Sequence, residues 1–145
     1  MLDFCAMRIL TPAIAIPVIF VLLYMFEPGV RELPWTTLRI AGAILAVIGY
    51  VLLITARVQL GESFAVQPEA KGLVTHGLYS RIRNPMYIFV DLMFFGVILV
   101  LEWRWVLILL AMFIIFHVRQ AGLEANVLRE KFGQSYLDYR KQTWF

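Results

Sequence analysis

Two stretches of this chain hold most of the residue types that could do chemistry. The first is Arg81-Ile82-Arg83-Asn84-Pro85-Met86-Tyr87, preceded by the run Gly72-Leu73-Val74-Thr75-His76-Gly77-Leu78-Tyr79. The second follows a long apolar interval and contains Glu124, Phe132-Gly133, Tyr136 and Tyr139. Asparagine is a favoured N-cap and proline a favoured first helical residue, so Asn84-Pro85 reads as a helix start with no catalytic role required. The same start offers free amides and a partial positive charge. With Arg81 and Arg83 beside it, it suits a carboxylate or phosphate. Arginines at a membrane interface also serve as headgroup anchors, and spacing does not separate the two roles. Gly72 and Gly77 either make turns or let the backbone approach a ligand.

Three ionisable residues stand out. Asp91 falls inside an apolar segment, where a carboxylate is costly and faces the bundle or a wet cavity. It would pair with an arginine, stay protonated, or act as a base. Glu124 shares a helical stripe with Leu128 and Phe132, so it needs a cation or hydrogen-bond donors. An ion pair with Arg119 or Lys131 would satisfy it, as would a ligand carrying positive charge. His76 reads as a solvated loop residue, and His117 stands alone at the end of an apolar run. No metal-ligand spacing is present. The lone Cys5 excludes an internal disulfide and a cysteine metal cluster. There is no Gly-x-Gly-x-x-Gly, which argues against a soluble Rossmann-type nucleotide site.

The elements that must position these residues are membrane helices. Of 145 residues, 61% are hydrophobic, and mean hydropathy is +0.79. A soluble domain has about 45–50% apolar residues. A net charge of +3 makes no case for nucleic acid. Four spans are expected, over residues 9–26, 40–56, 85–101 and 105–118. Pro12 and Pro17 should kink the first, which is read as a retained span. Gly42, Ala46 and Gly49 share one face of the second and suit close helix packing. The last two spans are short against the roughly 20 residues normally needed. They form a tight hairpin with Trp103 and Trp105 at the interface.

Arg8, Arg57, Lys71, Arg81, Arg83, Arg119, Arg129, Lys131, Arg140 and Lys141 fall on one side of this arrangement, against Arg31, Arg39 and Arg104 on the other. The positive-inside rule then puts both termini in the cytoplasm, as in a multi-pass protein of a bacterial-type inner membrane. The loop 57–84 and the tail 119–145 share that face. The tail should be helical over Arg119–Lys131 and stop at Gly133. The fold class is therefore an all-α, four-span membrane bundle with a cytoplasmic C-terminal helix.

These residues resemble the isoprenylcysteine carboxyl methyltransferase and phospholipid methyltransferase superfamily of membrane enzymes. The likeness lies in Gly77-Leu78-Tyr79 followed by Arg83-Asn84-Pro85-Met86-Tyr87. It continues in Glu124-Ala125-Asn126-Val127-Leu128 and Phe132-Gly133-Gln134-Ser135-Tyr136-Leu137-Asp138-Tyr139. It covers the chain from Leu60 onward. Asn84 stands where the family usually has histidine, so that position cannot move a proton. Ala125 stands where a second glutamate is usual.

The resemblance implies S-adenosylmethionine as cofactor, bound between the arginine block and the C-terminal helix, and a lipophilic or lipidated substrate entering from the bilayer. It makes Arg83, Asn84, Tyr87 and Asp91 candidates for catalysis. Leu73, Val74, His76, Gly77, Tyr79, Arg83, Pro85, Tyr87, Glu124 and Tyr136 become candidates for cofactor binding. A carboxylate acceptor would need no base. An amine would, with His76 or Asp91 as candidates. Two other readings compete: a nicotinamide-dependent sterol-type reductase, and a small proton-coupled transporter built around Asp91.

Overall fold

Residues 34–64 and 73–145 are described by the computed structural model. They form α1 (Thr37–Phe64), a 3-10 turn (Gly77–Ser80), α2 (Pro85–Leu101), α3 (Val106–Phe132) and α4 (Gln134–Gln142). No strand occurs among the described residues, apart from a single bridge between Ile82 and Trp144. The expected first span, residues 9–26, lies outside the described residues, as does Lys71.

Thr36 begins α1, its Oγ1 accepting the Arg39 N–H at 3.3 Å. The helix then runs beyond the expected second span to Phe64. Part of what was expected to be loop 57–84 is therefore helical, because no proline or turn signal interrupts Arg57–Leu60. α2 has the bounds expected of the third span, with Pro85 as its first residue.

The expected fourth span, residues 105–118, runs into the expected tail helix without a break: α3 is continuous from Val106 to Phe132. Polarity changes at Arg119, but Arg119, Gln120 and Ala121 are all good helix formers, so the backbone has no reason to break there. It stops at Gly133, as expected. The Gly133 φ of +51° is strained for any residue with a side chain. Its N–H donates to the Arg129 carbonyl at 2.9 Å.

The small-residue face of α1 packs backbone to backbone against α2. A Cβ on Gly42 would sit 2.7 Å from the Gly96 carbonyl oxygen, and one on Gly49 only 2.6 Å from the Met93 nitrogen. Gly96 supplies the matching gap on α2, against Ala46. This is the close approach that small residues permit in membrane helices. Below it lies a core of Leu53, Ala56, Tyr79, Met86, Phe89 and Met93.

At the far end, Arg39 Nε and Thr36 Oγ1 each donate to Glu102 Oε1 at 3.0 Å, clasping the start of α1 to the α2–α3 turn. Glu102 makes that turn with φ +56°, and Trp103 stacks near Trp105 beside it at 6.1 Å. The Thr37–Leu60 part of α1 and the whole of α3 are each long and apolar enough to cross a membrane. α2 has 17 residues and is shorter. Ile44, Val47 and Val51 on α1, and Ile108, Met112 and Ile115 on α3, are exposed. Such apolar surface suits lipid rather than water.

Candidate functional site

The 3-10 turn opens at Gly77, with φ +60°. Gln59 of α1 accepts the Leu78 N–H at 2.9 Å, and a Cβ on Gly77 would meet the Gln59 side chain at 2.5–2.6 Å. The turn reading of this glycine therefore holds: it closes on a side chain of α1. The turn sends Tyr79 inward, where it is buried. Burial pushes the Tyr79 phenol well above its ordinary range. The neighbouring Tyr139 phenol and the Glu124 carboxyl add to the rise, and Arg57 opposes it.

The chain's last residues lie alongside the arginine block. Trp144 N–H donates to the Arg81 carbonyl at 3.0 Å. Arg83 N–H is shared between the Trp144 and Phe145 carbonyls at 3.2 and 3.1 Å. α4 buries Tyr136 and Tyr139, and the Tyr139 hydroxyl donates to the Tyr79 carbonyl at 2.7 Å. The Arg83 backbone is thus fixed while its Nε is buried without a partner among the described residues. A buried donor of that kind marks a place for an acceptor not yet present. Asn84 occupies the N-cap of α2, but its side chain makes no capping bond. The expected cap thus acts through position and Pro85, not through the amide.

From this start α2 presents Tyr87 and Asp91, one helical turn apart, toward α3. Tyr87 donates its hydroxyl to Glu124 Oε1 at 2.5 Å. Asp91 Oδ1 lies 2.9 Å from His117 Nδ1. His117 is buried, at 4% exposure. Its ring stacks on Tyr87 with centroids 4.7 Å apart and planes 27° apart, and Phe113 tilts against it at 4.1 Å. Two polar rungs therefore bridge α2 and α3, with an aromatic contact between them.

Several expectations change here. Glu124 pairs with the Tyr87 hydroxyl, not with Arg119 or Lys131. Asp91 pairs with a histidine, not an arginine, so His117 does not stand alone. Tyr79, Arg83, Tyr87 and Glu124 gather at one end of the bundle, with Tyr136 buried in α4. His76 is exposed, Val74 packs against the core, and Leu73 is half-buried. Gln59, Arg57 and His117 joined the site without having been expected. Only His117 had a signal in the sequence, as a histidine in an apolar run.

The phospholipid methyltransferase family profile matches residues 37–135, which includes the arginine block, the tail as far as Ser135, and all of α1, α2 and α3. The chain belongs to the phospholipid methyltransferase family. It is also 34% identical over 124 residues to a protein-S-isoprenylcysteine O-methyltransferase of Tribolium castaneum. That alignment covers 81% of this chain and 43% of the relative, so the chain spans less than half the length of the curated protein it matches. No solved structure matches it. The family match fits the described residues, which are helical and bring Tyr87 and Glu124 of the two motif stretches together.

Proposed function

We propose that this protein is an integral membrane methyltransferase, taking its methyl group from S-adenosylmethionine and passing it to a lipophilic acceptor. The observation that carries the reading is the Tyr87–Glu124 bond, which joins the two stretches whose order resembles the family. In this reading the bundle has four spans, the site faces the cytoplasm, and the acceptor reaches it from the bilayer. The relative's name points to an isoprenylcysteine carboxylate as one acceptor class. The family's description points to a phospholipid as another.

The residues at the site fit the cofactor. Its amino-acid end carries a carboxylate, which the orphaned Arg83 Nε can bind as a charge-assisted acceptor. Its sulfonium is cationic, and Glu124 supplies the matching negative charge. Bound there, the cofactor would supply an already activated methyl group. The protein's work is then to position groups and to set the local field. Tyr87 holds the Glu124 carboxylate in place through its hydroxyl. The Trp144 and Phe145 carbonyls that follow α4 fix the Arg83 backbone, so the guanidinium starts from a held base.

Titration calorimetry on purified protein tests this directly. S-adenosylmethionine and its demethylated product should both bind, and Glu124→Ala should weaken binding on the order of 10–100-fold, the loss expected for one hydrogen bond to a charged group. Absence of heat with either compound would sink the proposal.

A further inference from the structure

The Asp91–His117 pair has no task in methylating a carboxylate. A carboxylate is ionised at neutral pH and needs no base. Yet the pair is built with care. His117 is buried at 4% exposure, bonded through Nδ1 to Asp91 at 2.9 Å, and held between Tyr87 and Phe113 rings. Ionisable groups between apolar helices are expensive and usually functional. The pair also touches the site already described, because the Tyr87 ring that stacks on His117 carries the hydroxyl bonded to Glu124.

We propose that Asp91 and His117 form a base that takes a proton from an ammonium acceptor before the methyl is transferred; this rests on the methyltransferase reading above. An ionised Asp91 can only accept, so His117 Nδ1 carries the hydrogen and Nε2 keeps a free electron pair. The acceptor ammonium passes one proton to Nε2. It becomes a neutral amine and leaves an imidazolium that Asp91 stabilises. The amine's freed electron pair forms the new N–C bond as the methyl's bond to sulfur breaks, with that bond's pair remaining on sulfur. The proton on His117 then returns to water.

One further observation favours an amine. Glu124 and Asp91 place two carboxyl groups on the seam between α2 and α3, a poor setting for an anionic acceptor. His117 is the proton acceptor in this scheme. Asp91 is a positioning residue that fixes its tautomer.

The test uses full-length protein in vesicles containing both phosphatidylethanolamine and an S-farnesylated cysteine, with methyl-labelled cofactor. Label should appear on the headgroup nitrogen and survive alkali. His117→Ala should lower turnover by about 10²-fold or more, within the range for a lost general base, with cofactor affinity unchanged. Added imidazole should restore part of the rate, which it would not do for a purely structural defect. Asp91→Asn should lower kcat and leave KM for the cofactor unmoved. Independently of activity, nitrogen NMR of the cofactor-free protein should show His117 protonated at Nδ1 and bare at Nε2. Alkali-labile ester label, a His117→Ala protein as fast as wild type, or an Nε2–H tautomer would each overturn the base while leaving the methyltransferase reading intact. No cofactor binding and no label on either acceptor would overturn both.

Discussion

Tyr139 shows how much one side chain holds at this site. Its hydroxyl reaches sixty residues back in the chain to the Tyr79 carbonyl, from a buried position in α4. Burial, with Tyr136 beside it, pushes its phenol up to about 12 from an ordinary 10.0. The folded pKa is raised, so the fold favours the protonated form. That contribution is complete below the ordinary tyrosine pKa and is lost as pH rises through about 12. Tyr79, also raised, acts in the same direction. Tyrosinate absorbance and helix content followed together should therefore show α4 releasing in that alkaline window. Tyr139→Phe should remove the Tyr139 part of the transition and cost about 1–3 kcal/mol at neutral pH, as an unsatisfied buried carbonyl does. Little of this was legible beforehand. The Tyr136 and Tyr139 spacing marks a helical face, but a backbone carbonyl as partner leaves no trace in residue types. The Asp91–His117 pair was hidden for a related reason. Its members lie on different helices, and no local spacing connects them.

At the scale of elements, the α1–α2 contact was half visible. Gly42, Ala46 and Gly49 announce a face made for close packing. That Gly96 receives it depends on the depth at which two antiparallel helices meet, which sequence pattern does not give. That the expected fourth span and the tail form one helix was not legible because hydropathy ends at Val118 while helix propensity does not. The packing argument separates two glycines that look alike in sequence. Gly96→Val drives a side chain into Ala46 and Gly42, and should cost about 1–3 kcal/mol or more through overpacking. Gly122 lies inside α3 with nothing within 4 Å of an added Cβ. Gly122→Ala should therefore stabilise by up to about 1 kcal/mol, the helix-propensity difference. Melting temperatures of the two variants in one detergent would compare them. Equal effects of the same sign would mean that α1 and α2 do not meet through Gly96.

For the whole molecule, charge and structure make one claim about orientation. Arg39 and Arg104 lie at the end clasped through Glu102. Arg57, Arg81, Arg83, Arg129, Arg140 and Lys141 belong to the end where the 3-10 turn, α4 and the last residues assemble. In the orientation proposed above, which the positive-inside rule favours, that second end faces the cytoplasm, where a soluble nucleoside-bearing cofactor is available. α2 spans ~25 Å at 1.5 Å per residue, less than the roughly 30 Å hydrocarbon core. The Tyr87, Asp91, His117 and Glu124 rungs stand toward the Pro85 end of this short helix. In a Cys5→Ala background, Lys141→Cys should react with an impermeant maleimide only after the cytoplasmic face is opened. Arg104→Cys should react in intact cells. The reverse pattern would turn the site away from its cofactor supply, and the cytoplasm-facing methyltransferase would fail with it.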